Sequence, residues 1–212
     1  MSGAWGGNIP LMALFLERGG DINLSNANGE TAVALAAWRG KVEAVRWLLE
    51  KGAKLNQDDG QWSALHYATF AGHRDLSKEL ISRGAEVNAR SPNGSSVLMM
   101  AIYEGHEDLV KLLLENGADR SIKNDWDDGA LEWAMRGNRL KIARMITSPE
   151  EFNIAVAAPK EKWGQHVRSM RSTPELDALL RQRDILQERG MATRGIDDRI
   201  AAERARLVRI EM

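Results

Sequence analysis

The chain has 212 residues, with 29 Lys and Arg against 30 Asp and Glu, 43% hydrophobic residues and no Cys. That near-neutral balance gives no chain-wide electrostatic reason to expect nucleic acid or a membrane as the main partner. The missing cysteines exclude a disulfide framework, a thiolate nucleophile and any Cys-ligated metal.

In chain order, the first apolar stretch covers residues 9–16. It is broken by Pro10, follows no basic residue, and is too short for a membrane span or a signal peptide. The expectation is a soluble protein, cytoplasmic by default. Glycines twelve apart then recur along the chain, as Gly7 and Gly19, Gly40 and Gly52, Gly72 and Gly84, and Gly105 and Gly117. A fifth start at Gly137 reaches Pro149 instead of a closing glycine. A period of this length is the signature of a stacked solenoid. Between the glycines, apolar residues fall at helical spacing: Leu11, Met12, Phe15 and Leu16, then Val42, Val45, Leu48 and Leu49, and so on to Leu140, Ile142, Met145 and Ile146. Upstream of the second, third and fourth of these lies a short Ala-rich segment opened by a hydroxyl residue suited to capping a helix: residues 31–36, 63–68 and 96–101, led by Thr31, Ser63 and Ser96.

The run Ser63-Ala-Leu-His66-x-Ala68-x3-Gly72-His73, continued by Gly84-Ala85-Glu86-Val87-Asn88, resembles an ankyrin repeat nearly position for position. So do Gly105-His106 through Gly117-Ala118-Asp119, and Gly19 through Asn23. The resemblance covers roughly residues 5–149 and implies an all-α ankyrin-repeat solenoid of stacked helix–turn–helix units with hairpin-like loops. The first repeat lacks its opening helix, so the chain reads as beginning mid-unit or as a fragment. Such units cannot bury their apolar stripes alone, and stacking supplies the core; Leu48, Leu65, Leu98 and Leu113 are expected deep within it. The chain divides into an ankyrin domain over residues 1–150 and a helical C-terminal extension over 151–212.

Candidate sites divide into structural and functional readings. The resemblance ties His66 back to Ser63 and makes His73 and His106 turn residues, so no metal and no acid–base role is expected of them. Asp125-Trp126-Asp127-Asp128-Gly129 superficially resembles a calcium loop, but its twelfth position is Arg136, where a bidentate Glu would be needed. No catalytic fingerprint is present, and neither catalysis, a cofactor nor a small-molecule substrate is expected. The informative column stands two residues before each turn glycine: Trp5, Trp38, Phe70, Tyr103 and Met135. Arg39, Ala71, Glu104 and Arg136 follow directly. In ankyrin proteins these positions face the concave groove, and the hairpin tips add further contacts. The tips here carry Ala27, Asn28 and Glu30; Asp58, Asp59 and Trp62; Pro92, Asn93 and Ser95; and Asp125, Trp126 and Asp128. The expected partner-binding set is Trp5, Trp38, Arg39, Trp62, Phe70, Tyr103, Glu104, Trp126, Met135 and Arg136, an apolar centre with a charged rim that grips a partner protein. The structural alternative is that the aromatic column stacks on itself between neighbouring helices.

Beyond Pro159 the repeat ends and the charge changes sign, from 17 basic and 21 acidic residues over 1–158 to 12 and 9 over 159–212. Thr173-Pro174-Glu175 starts a helix carrying Leu176, Leu179, Leu180 and Leu186, and a second begins near Ile196 with Arg199, Arg204, Arg206 and Arg209. Capping the solenoid is the plain role of this pair, with self-association next. Two other readings of the chain stay open: an inhibitor or self-protection protein that occludes a partner enzyme with the same concave surface, and an Arg-rich tail that binds nucleic acid or an anionic membrane surface.

Overall fold

The computed structural model describes residues 1–58 and 60–158, with Trp163, Ala178, Leu179, Arg181, Gln182, Ile196 and Arg199. It places short helices two to a unit: α1 (Ser2–Gly6) and α2 (Ile9–Glu17), α3 (Ala32–Trp38) and α4 (Val42–Glu50), α5 (Ala64–Phe70) and α6 (Arg74–Ser82). The series continues with α7 (Val97–Glu104) and α8 (Glu107–Glu115), then α9 (Ala130–Arg136) and α10 (Leu140–Ile146), and closes on α11 (Pro149–Ala157). The opening helix of the first unit, expected to be missing, is present as the five residues of α1.

Local chemistry starts and stops these helices. Thr31 Oγ1, Ser63 Oγ and Ser96 Oγ accept from the backbone N–H of Ala34, His66 and Met99, satisfying donors that the first turn leaves free. Gly129 holds the same place before α9 without a hydroxyl, and there Glu132 reaches back to accept from the Gly129 N–H at 2.9 Å. The first helices end on a left-handed residue: Gly7, Gly40, Gly72 and Gly105 have φ between +62° and +82°, a conformation that costs a side-chain-bearing residue energy. In the fifth unit that residue is Asn138 at φ +53°, whereas Gly137 sits at φ −79°. The hairpin loops keep only isolated bridges among the described residues, Ser25 with Thr31 and Arg90 with Ser96.

Stacking turns these units into one core. First helices pack in series, α1 on α3, α3 on α5, α5 on α7 and α7 on α9, while α6, α8 and α10 form a parallel row. Leu48, Leu65, Leu98 and Leu113 are all buried in that core, as their spacing implies. Polar stitches recur at the same period. Asn23, Asn56 and Asn88 each accept from a backbone N–H about one unit later, at Lys54, Glu86 and Asp119. His73 and His106 set their rings against Gly40 and Gly72 of the preceding unit, and each bonds a carbonyl there, Trp38 O at 2.9 Å and Phe70 O at 3.3 Å. Arg139 does the same over Gly105, donating to the Tyr103 and Glu104 carbonyls. The approach leaves no room for a β-carbon on these glycines without displacing the ring or guanidinium. On the second helices, Arg46 grips Glu79 through three bonds of 2.7, 2.9 and 3.2 Å, which hold the Glu79 carboxyl below its usual range.

Pro149 does not end the last repeat helix; α10 stops at Ile146, and Pro149 opens α11 behind a Ser148–Glu151 capping box. Phe152 of α11 is buried under the Arg144 guanidinium, which lies 4.8 Å from its ring, and Ile142 and Ile146 are covered. The chain separates into two units, residues 1–166 and 167–212. In the second, Ala178, Leu179, Arg181, Gln182, Ile196 and Arg199 are helical, and Leu179 and Ile196 are buried. The expected helix start at Thr173 and the arginines Arg204, Arg206 and Arg209 lie outside the described residues.

Candidate partner-binding surface

The row of first helices presents one residue per unit at a fixed place, two before the left-handed turn residue. Helical geometry and the unit spacing together bring these residues into file. Trp5 meets Trp38 edge to face at 5.5 Å, and Trp38 stacks on Tyr67 at 5.3 Å. Phe70 stacks on Tyr103 at 6.4 Å, and Tyr103 meets Trp133 at 5.6 Å. The rings do stack on one another, yet they are not interred: Trp5 is 42% and Tyr103 62% exposed, and Trp38 and Phe70 are partly so. Arg39 lies over the outer ring, its guanidinium 4.8 Å from the Trp5 centroid. Glu104 is part-buried beside Tyr103.

The fifth unit departs from the expected frame. With Asn138 as the left-handed residue, Met135 falls in the place of Ile102, and it is only 3% exposed. Met135 therefore belongs to the core, and Arg136 takes the column position. Its guanidinium makes a two-pronged pair with Asp128, at 2.8 and 2.9 Å, and Asp128 is itself 1% exposed. The file of aromatic side chains ends in a cation fixed from beneath.

Two rings that the spacing argument did not single out, Tyr67 and Trp133, join the file. Each stands three residues before a column position, at Phe70 and Arg136, so helical spacing puts both on the same side of their helices. The Tyr67 hydroxyl donates to Glu30 Oε1 at 3.0 Å, and Asn26 donates to Glu30 Oε2. Burial and the Glu30 charge push the Tyr67 phenol well above its usual range. Trp62 packs beside Tyr67 at 5.8 Å and edge-on to His66 at 5.4 Å.

Not every tip residue stays at a tip. Glu30, Ser95 and Asp128 are buried, because the residue just before the cap turns inward in the second, fourth and fifth units, while Trp62 of the third is only part-buried. Asp58, Pro92 and Asp125 are exposed, Trp126 is part-buried with its N–H on Asn124 Oδ1, and Asp59 lies outside the described residues. His66 is buried, its Nδ1 2.9 Å from Ser63 Oγ, and burial pushes its pKa down to about 4. Among the described residues no group of three His, Asp or Glu side chains is placed to hold a metal, and no helix is long and apolar enough to cross a membrane.

The family model described as ankyrin repeats (3 copies) matches residues 1–91 and 78–156, so the chain belongs to the ankyrin repeat family. It is 40% identical over 75 residues to the rat (Rattus norvegicus) ankyrin repeat and SAM domain-containing protein 6, covering 34% of this chain and 8% of that protein. A putative ankyrin repeat-containing protein of Treponema pallidum (strain Nichols) is 35% identical over 96 residues, covering 44% of this chain and 32% of the relative. The mouse (Mus musculus) 2-5A-dependent ribonuclease is 38% identical over 69 residues, 32% of this chain and 9% of the enzyme. The chain thus spans less than a third of the length of each of these relatives. Ankyrin repeats are protein–protein interaction modules, and that is the function class the fold defines.

Proposed function

We propose that this chain binds a partner polypeptide along the face of its first helices, without catalysing a reaction. The aromatic file anchors the partner, while Arg39, Glu104 and the hairpin tips select it. The observation that carries this reading is the exposure of Tyr103 at a place where its neighbours Ile102 and Ala101 are wholly buried. A large ring kept in water at a fixed position of its repeat unit has rigid contact area to offer, and little ordering entropy is lost when it docks. Arg136, pinned by Asp128, closes one end of the file with a charge that need not reorganise on binding.

Affinity capture with the wild-type chain and with Tyr103→Ala, side by side, tests the reading. A partner retained by the wild type should bind Tyr103→Ala about 1–2 kcal/mol more weakly while the melting temperature is unchanged. Trp38→Ala should weaken binding similarly but also loosen the Trp5 and Tyr67 rings packed on it. If both variants hold the partner at wild-type strength, the first-helix face is not the binding surface. Should the captured partner be an enzyme, its activity in the complex decides whether the contact is inhibitory.

A further inference from the structure

From the second unit to the fifth, the hairpin residue directly before the cap and the column residue of the first helix stand eight positions apart. In the fifth unit these are Asp128 and Arg136, and they meet: the guanidinium takes the buried carboxylate in a two-pronged pair at 2.8 and 2.9 Å. The third and fourth units carry Trp62 and Ser95 before the cap and have no charge to satisfy there. The second unit again has a carboxylate, Glu30, but its column residue is a ring, Trp38. Glu30 is 9% exposed, and the side-chain donors that reach it are neutral: the Tyr67 hydroxyl on Oε1 at 3.0 Å and the Asn26 amide on Oε2 at 2.6 Å. Among the described residues it has no ion pair. A carboxylate held out of water without a cation is costly, and the cation that the fifth unit supplies from its own column is missing from the second.

We propose that the second unit holds a subsite for an arginine side chain of the partner, whose guanidinium pairs with Glu30 as Arg136 pairs with Asp128. The proposal rests on the first-helix face being the binding surface, and it names the chemistry that this face selects. Three observations point to arginine. An ionised carboxylate offers about four acceptor sites, two to each oxygen, so Tyr67 and Asn26 leave one on each oxygen for the two prongs of a guanidinium. Beside Glu30 stand Tyr67 and, stacked on it at 5.3 Å, Trp38, both part-exposed; a planar guanidinium lies on such ring faces where a compact, strongly hydrated ammonium does not. The aromatic file already carries a guanidinium in this way, Arg39 over the Trp5 ring at 4.8 Å.

The test titrates the nitrogen-15-labelled full chain with the blocked tripeptide acetyl-Gly-Arg-Gly-amide at millimolar concentration, and with its counterparts carrying lysine or the neutral isostere citrulline. The arginine peptide should move the indole N–H signals of Trp38 and Trp62 and leave that of Trp47, on α4, in place; the citrulline peptide should move none of them. Glu30→Gln keeps the shape of the side chain and can still bond Tyr67 and Asn26, yet it should weaken the arginine peptide about tenfold. Glu115→Gln, an exposed carboxylate lost from α8, should not weaken it. Equal shifts from the arginine and citrulline peptides overturn the subsite, and so does binding to Glu30→Gln at wild-type strength. No shift from any peptide overturns it too, because Glu30 is then closed to an incoming side chain. A lysine peptide bound as tightly as the arginine one overturns the choice of arginine. The face itself is tested separately: a captured partner indifferent to Tyr103→Ala and Trp38→Ala removes the face even where the tripeptide binds, and one weakened by them keeps the face even where the tripeptide fails.

Discussion

The third and fifth units share one frame and use it differently. In the third, Ser63 caps α5, His66 completes the box, and the chain turns on Gly72 behind an aromatic ring, Phe70. In the fifth, Gly129 caps α9 with no side chain, Glu132 takes the part of His66, and the chain turns on Asn138 behind a cation, Arg136. Both solutions satisfy the free donors of the first turn and both bury the residue before the column position, Thr69 or Met135. The architecture constrains the backbone and the inward face; the outward column position is free to vary, and so can be given to recognition. Where it carries Arg136 instead of a ring, it is tied to a buried carboxylate, and that position supports the fold.

The largest expected difference between the two units is in their response to acid. His66 titrates near 6.5 when unfolded and near 4 when folded, so between those values the unfolded chain holds the extra proton and stability falls as the pH is lowered. The full effect is about 3 kcal/mol, reached near pH 4, with a steepest slope of about 1.4 kcal/mol per pH unit. Met99 occupies the same place in the fourth unit, so His66→Met retains a side chain the site accepts. Denaturant unfolding across pH 4–7 should show the wild type losing stability relative to His66→Met as the pH falls. Parallel curves would mean that His66 takes up its proton as readily in the folded protein as in the unfolded chain.

A smaller effect should separate Arg136 from Tyr103, the same position one unit apart. Arg136→Ala leaves the Asp128 carboxylate buried without its partner, at a cost of about 2 kcal/mol, less than for a wholly buried pair because the guanidinium is partly in water. Tyr103→Ala removes an exposed ring and should cost well under 1 kcal/mol in the same unfolding measurement. Equal losses would remove the distinction between a supporting and a recognising column position.

Much of this was readable from residue spacing, because ankyrin units are closed by local interactions. The hydroxyl caps, the turn glycines and the core leucines all depend on neighbours a few residues away. The inward turn of Glu30 and Asp128 was not readable, since a hairpin-tip residue is buried by what the adjacent unit brings to it. Tyr67 and Trp133 carry a signal in the sequence itself, their place three residues before the column. The spacing of the fifth unit points to Gly137 because glycine is the usual left-handed residue, whereas Asn138, next to it, holds that conformation.

The one-residue offset between Gly137 and Asn138 makes the smallest prediction the sharpest about register. If Gly137 were the turn residue, as its spacing from Gly105 suggests, an alanine there would meet the left-handed penalty of about 1–2 kcal/mol. At φ −79° it meets none; its β-carbon would sit 3.2 Å from the flexible Cγ of Arg139, and Arg39, Ala71 and Glu104 already carry side chains at this place. Gly137→Ala should therefore be neutral or stabilise by about 0.5 kcal/mol through the unfolded chain. Gly105→Ala, at φ +82° beneath the Arg139 guanidinium, should cost about 1–2 kcal/mol. Equal losses in the two melting curves would return the turn to Gly137, put Met135 back in the column, and release Arg136 from it.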